Sequence, residues 1–400
     1  MSKPPLLFLP HRIPYPPNKG DKLRSFHMLS YLARHYSVHV GTFIDYPEDW
    51  QHVGVLEGIC ASVYAEGIRP LSRKAFALRG LLTGESLTLP YYRSSTMRAW
   101  VNQTLQSNSI ERAVIFSSSM AQYIEQKPSV RAVVDFCDVD SAKWAHYAQQ
   151  AGFPKRWLYG REARCLLSYE CSVAAWARAS VFVSDTEAEL FKSVAPGCDR
   201  VHTMSNGVDA DYYSPAWQLT SPYASAAPTI VFTGAMDYLP NIDAVSWFVK
   251  EVWPRIRQRF GDIRFYIVGM KPTAEVLALA SDNSVVVTGA VADVRPYLMH
   301  AQVAVAPLRI ARGIQNKVLE AMSMAKPVVV SRTCAQGLSA AQGVEYLAAE
   351  SPDDYLLAIE SLLEPQAAHT MGCRARARVV RDYSWTAHLT KLSGWLESRD

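Results

Sequence analysis

Short apolar runs alternate with amphipathic segments along the whole of this chain, and few architectures accept that order. In the first half the runs are Leu6–Leu9, Val38–Phe43, Ser62–Tyr64, Ala113–Ser117, Ala132–Phe136, Ser180–Ser184 and Arg200–Met204. The helical pattern falls between them, over Lys22–Arg34, Tyr91–Gln106, Ser141–Gln150 and Lys155–Arg178. The second half repeats the scheme with strands at Thr229–Phe232, Arg264–Val268, Val285–Thr288, Gln302–Ala306 and Pro327–Val330. Its helices are expected over Ala244–Phe260, Thr273–Leu279, Val294–Ala301 and Gly313–Ala325. A linker rich in Ser, Ala, Thr and Pro, Tyr213–Pro228, separates the halves. The expectation is two doubly wound α/β domains, because 400 residues exceed what one core usually serves. Ligands bind such sheets at the carboxyl ends of their strands.

Composition excludes several classes. With 49% apolar and 20% charged residues the chain is an ordinary globular protein, and a net charge of +4 does not indicate a nucleic-acid binder. Seven scattered cysteines include no C-x-x-C pair, which suits a reducing cytosol and gives no zinc framework. The first apolar stretch runs into Pro10 and reads as a strand rather than a signal peptide. No apolar run approaches the roughly 18–20 residues that span a bilayer, so a cytoplasmic or peripheral protein is expected.

The sharpest local signal is Ala311-Arg312-Gly313-Ile314-Gln315-Asn316-Lys317-Val318-Leu319-Glu320-Ala321-Met322, between two predicted strands. Gly313 permits a tight turn at a helix start, where free N–H groups and the positive dipole end face the loop. Ile314, Val318, Met322 and Ala325 form the expected core stripe. Lys317 and Glu320 lie one turn apart, roughly 4.5 Å along the axis at about 1.5 Å per residue. A cation and then a carboxylate suit a diphosphate joined to a ribose. A solvated surface pair is the alternative reading of the same two residues.

The stretch resembles the donor-site signature of family 4 retaining glycosyltransferases of the GT-B fold. Their signature is a Glu, seven residues, and a second Glu followed by Ala-Met. Glu320-Ala321-Met322 matches the second half, whereas the first Glu falls on Arg312. Asn206-Gly207-Val208-Asp209, Phe232-Thr233-Gly234 and Asp382-Tyr383-Ser384-Trp385 match further family motifs. Phe232–Tyr238, Pro240-Asn241 and Arg312–Lys317 look like the exopolysaccharide enzymes associated with the PEP-CTERM/exosortase system. The resemblance implies two facing Rossmann-like domains with a cleft between them. It places an acceptor-binding domain at 1–212, a nucleotide-sugar domain at 213–384, and a C-terminal helix, 385–400, crossing back to the first domain. It implies a metal-independent enzyme with no cofactor, a nucleotide-sugar donor and a polysaccharide or lipid-linked acceptor.

Carried over by residue, the resemblance implies a donor site of Gly234, Asn241, Gly269, Gly289, Gly313, Ile314, Lys317 and Glu320. Many family members have an Arg and a Lys where this chain has Ala235 and Pro240-Asn241. Lys317, with Arg312, is therefore expected to do the phosphate work, and Lys317, Arg312 and Glu320 are the catalytic candidates. On the acceptor side the candidates are Lys19, Gly20, Lys22, Arg24 and Asp138, with His11 as a weaker proton shuttle. The Asp-x-Asp spacing of Asp138 and Asp140 is not read as a metal site, because Asp140 is placed to cap the next helix. Arg69, Arg73, Lys74, Arg79, Arg93 and Arg98 face one acid, Glu85, with Phe76, Tyr91 and Tyr92 interleaved. That stretch suits either an anionic lipid surface or a solvated helical hairpin. Two other functions stay open: a sugar-nucleotide epimerase of the same architecture, and a nucleotide-sugar-binding protein without catalysis.

Overall fold

The computed structural model describes residues 3–17, 20–68, 80–225, 227–310 and 314–398. The chain divides into two compact units, residues 1–206 with 388–400, and residues 207–387.

The first unit carries a seven-stranded sheet: β1 (Pro5–Pro10), β2 (Ser37–Ile44), β3 (Ser62–Gly67), β4 (Arg112–Phe116), β5 (Arg131–Cys137), β6 (Ala179–Phe182) and β7 (Val201–Thr203). The order is β3-β2-β1-β4-β5-β6-β7 with every pair parallel, so Leu7 lies opposite His39 on one side and Ala113 on the other. Its principal helices are α1 (Gly20–His35), α2 (Ser95–Ser107), α3 (Asp140–Gln150), α4 (Lys155–Trp176) and α5 (Asp185–Val194). Central strands read as unbroken apolar runs because both faces are covered, and Leu6 to Leu9 are all fully buried.

The second unit carries β8 (Thr229–Thr233), β9 (Arg264–Val268), β10 (Val285–Gly289), β11 (Val303–Ala306), β12 (Val328–Ser331) and β13 (Leu347–Ala349). Their order is β10-β9-β8-β11-β12-β13, again all parallel. Its principal helices are α6 (Leu239–Trp247), α7 (Trp253–Phe260), α8 (Asn316–Ser323), α9 (Pro352–Leu362) and α10 (Pro365–Asp382). The final helix, α11 (Trp385–Glu397), begins in the second unit and ends in the first. There Glu397 accepts two bonds from Arg112, at 2.8 and 2.9 Å, and one from Tyr36.

In each sheet the winding reverses once, between β1 and β4 and between β8 and β11. Those two points are where a doubly wound sheet opens a crevice at its strand ends.

Three sequence expectations need correction. The helix expected over Ala244–Phe260 starts five residues earlier and is broken by a π-helical turn at Phe248–Val252. The strand β13, not among those expected, lies at the sheet edge, half-buried, and its Leu-Ala-Ala run shows no β-branched or aromatic signal. The helix expected over Gly313–Ala325 is only Asn316–Ser323, with Gln315 extended as its N-cap and Ala325 at positive φ. Ile314 therefore lies outside it and is 37% exposed, while Leu319 and Ala321 join Val318 and Met322 in the core.

Two motifs that stand far apart in sequence prove to be one feature. Val208 donates to Tyr383 O at 2.8 Å and accepts from Trp385 N at 3.3 Å. A Cβ on Gly207 would lie 2.4 Å from the Trp385 nitrogen, so only glycine permits this approach.

Candidate functional site

The second unit's switch point is built around one lysine. Strand β8 ends at Thr233, and Gly234 follows with its N–H donated to Val268 O at 3.0 Å. Helix α8 follows β11 and carries Lys317 on its first turn. The Lys317 ammonium sits 4.3 Å from the centre of the Phe232 ring and donates to Asn241 Oδ1. Asn241, on α6, is held by its own bond to Ala235 O at 2.8 Å. A Cβ on Gly234 would lie 2.7 Å from Asn241 Nδ2 and 2.9 Å from Lys317 Nζ. The Phe-Thr-Gly run thus supplies a ring beside the cation and, at Gly234, a bare backbone against which Asn241 and Lys317 can close.

Burial lowers the Lys317 ammonium to about 8, against an upward pull from Cys334 and Glu320. Among the described residues it forms no ion pair with a carboxylate within 4.0 Å. Glu320, one turn on, is pushed up by burial and pulled down by the Tyr213 hydroxyl and by Lys317. Lys317 is thus a desolvated cation at a strand-end crevice, and an anion there would restore its charge balance. Arg309, also after β11, is bound instead to Asp243 through both carboxylate oxygens.

The other donor-side candidates divide. Gly269 is structural: at φ +155°, a Cβ would sit 1.6 Å from Gly234 O, so β8 and β9 could not end side by side. Gly289 has positive φ and open space around it. Ala311, Arg312 and Gly313 lie outside the described residues.

Within this unit, residues 227–365 match the family described as glycosyl transferases group 1. A glycosyltransferase from Rickettsia africae superposes over 99% of this chain and 98% of its own, with TM-score 0.63 and 13% identity. Anabaena Alr3699/HepE, solved with UDP and glucose, covers 98% of each chain with TM-score 0.58 and 16% identity. WaaG, a glycosyltransferase involved in lipopolysaccharide biosynthesis, covers 98% of this chain and 100% of its own, with TM-score 0.57 and 17% identity. No curated protein matches. The fold is GT-B.

In the first unit of this GT-B chain, two acceptor candidates are corrected. Lys22 is 2% exposed and bonded to Asp49 at 2.6 Å; Arg24 is fully buried, held by Asp135 at 2.8 Å and Asn206 at 2.9 Å. Both side chains turn inward from α1 and neutralise interior carboxylates, so neither is available to an acceptor. Lys19 lies outside the described residues, and Gly20 begins α1. That helix start already has an anion of its own, Asp21, bonded to Arg12 at 3.0 Å.

Asp138 stays partly exposed and pairs with Lys143 at 2.7 Å, which also reaches Asp140 at 3.1 Å. Asp140 does not cap α3. The cap is supplied from other helices, by Glu187 accepting from Val139 N at 2.7 Å and Glu170 accepting from Ser141. Of the basic stretch, residues 69–79 lie outside the described residues. Arg93 is spent on Glu85, and Arg98 lies 5.5 Å from the Tyr123 ring centre.

Arg12 and Asp45 carry no motif that marks them in the sequence, and His11 is marked there only as a weaker proton shuttle. The structure gathers them at the β1–β4 switch point. The His11 ring stacks on Phe116 at 5.6 Å and lies 3.7 Å from Asp21, and burial lowers it to about 4. Arg12 bridges Asp21 and Asp45, at 3.0 and 2.8 Å. Tyr213 and Phe232 were likewise missed as partners of Glu320 and Lys317. Only the Phe-Thr-Gly motif hinted at the second.

Proposed function

We propose that this chain transfers a sugar from a nucleoside diphosphate to a saccharide acceptor, with Lys317 holding the departing diphosphate. The observation that carries the reading is the desolvated Lys317 ammonium at the β8–β11 switch point, without a carboxylate partner among the described residues. A leaving diphosphate concentrates negative charge as the glycosidic bond breaks. A fixed cation in a low-dielectric site stabilises that charge more than it stabilises the intact donor. Glu320, steadied by Tyr213, is assigned the ribose hydroxyls. The Anabaena neighbour solved with UDP and glucose supports a UDP-sugar as the donor class.

The finer reading is transfer with retention, in which the acceptor attacks from the face the diphosphate leaves and the diphosphate takes the acceptor's proton. It rests on the resemblance to family 4, as does an acceptor within exopolysaccharide synthesis of the PEP-CTERM type; Lys317 supplies the charge that a metal would otherwise bring. No helix among the described residues is long and apolar enough to cross a membrane. A lipid-linked acceptor would then be met at a membrane surface.

The test is to incubate the protein with a panel of nucleotide sugars, with and without membrane extract, and measure released diphosphate. Acceptor-dependent release that is lost in Lys317→Met supports transfer. Release of a new nucleotide sugar without acceptor would point to an epimerase, and binding without turnover to a sensor.

A further inference from the structure

The helical hairpin of α3 and α4 presents an apolar tip, and the exposed charges that the hairpin itself places beside it are cationic. Residues 152–157 are exposed without interruption, and they include Phe153 at 88% and Trp157 at 57%. The hairpin's other rings pack on one another: Trp144 lies 5.9 Å from Tyr147, itself 50% exposed, and 5.3 Å from Tyr159. Phe153 and Trp157 join no such cluster among the described residues. Instead they border a shallow hollow over Gly160 together with Arg156 and Arg164.

Charge distribution says what the tip fits. Around it stand Lys155, Arg156 and Arg164, all exposed. The acids of α4 are Glu162 and Glu170, 2% and 1% exposed. Glu162 is consumed by Ser86, Leu87 and Thr88, and Glu170 by Ser141. The remaining acid of the hairpin, Asp140, lies at the far end of α3 and pairs with Lys143. From residue 141 to 169, therefore, no carboxylate reaches the surface to offset the cations.

We infer that this tip docks on an anionic phospholipid surface, with Phe153 and Trp157 entering the headgroup boundary and Lys155, Arg156 and Arg164 meeting lipid phosphates. Aromatic rings with one wet edge settle at that depth, and basic side chains beside them extend to the headgroups. Each cation near such a surface strengthens binding several-fold at moderate salt, and the attraction weakens as salt is raised. A protein partner would have to present an acidic, apolar-pocketed face; a bilayer presents both features everywhere. The inference is independent of sugar transfer, because vesicle binding requires no nucleotide.

The test is flotation of the full-length protein with phosphatidylcholine vesicles, and with vesicles containing roughly one-third phosphatidylglycerol. Wild type should float with the anionic vesicles and hardly at all with the neutral ones. Phe153→Ser with Trp157→Ser, and separately Lys155→Glu with Arg156→Glu, should each lower partitioning about tenfold or more. These positions are exposed, so circular dichroism and nucleotide binding should match wild type. Wild type that stays with the soluble fraction, or variants that float as well as wild type, would overturn the inference. So would Trp157-dependent retention on an immobilised polysaccharide without vesicle binding, which would make the tip a saccharide platform.

Discussion

The pH dependence of nucleotide binding should follow the protonation of Lys317. Burial places its ammonium at about 8 instead of 10.5. The free protein therefore carries the proton on about nine molecules in ten near pH 7, and on about one in ten near pH 9. If the diphosphate binds only the charged form, its Kd should rise about tenfold between those two conditions, or about 1.4 kcal/mol. A lysine with an ordinary value would stay charged over the same range and leave the affinity level. Lys317→Met removes the charge, the contact with the Phe232 ring and the bond to Asn241. Losing one partner of a buried charge pair costs about 2–5 kcal/mol, so the variant should bind at least about thirtyfold more weakly near pH 7. Its affinity should then lack the wild-type decline above pH 8. Isothermal titration calorimetry with UDP over roughly pH 6.5 to 9.5 measures both. A level wild-type profile, or a methionine variant within about threefold of wild type, would refute the reasoning.

Other positions give independent checks. Gly234→Ala places a methyl group 2.7 Å from Asn241 Nδ2 and 2.9 Å from Lys317 Nζ, so UDP affinity should fall at least tenfold (about 1.4 kcal/mol) with little change in thermal unfolding. Gly269→Ala drives a methyl to 1.6 Å from a backbone oxygen, and should yield a strongly destabilised or insoluble chain by expression and melting assays. Arg24→Met leaves Asp135 buried without its cation and should destabilise the first unit by about 3–5 kcal/mol, read from urea unfolding. Burial lifts Glu170 from 4.5 to about 7. The folded first unit then holds a proton that the unfolded chain releases, so its stability falls as pH rises from about 4.5 to 7. The drop should not exceed about 3 kcal/mol, and Glu170→Gln should flatten it in melting curves taken across that window.

How much was legible in the chain depends on the range of the interaction. Twelve strands were readable, the central ones because burial on both faces leaves an apolar run, a local mark; the thirteenth, Leu347–Ala349 at the sheet edge, carries no β-branched or aromatic residue to mark it. Lys317 and Glu320 were found because a helix fixes the spacing of neighbours in sequence. Lys22 and Arg24 were misread for a related reason. A lysine beside a glycine at a helix start looks the same whether it faces solvent or the interior. What decided it was Asp49, Asp135 and Asn206, the last of them 182 residues from its partner. The same holds for the cap of α3, taken by Glu187 and Glu170 rather than by the adjacent Asp140. Sequence alone determined the two parallel sheets and the helix that carries the candidate cation. Tertiary structure decided which charges meet inside and which remain unmatched, because a buried ion takes whichever partner the fold brings within reach.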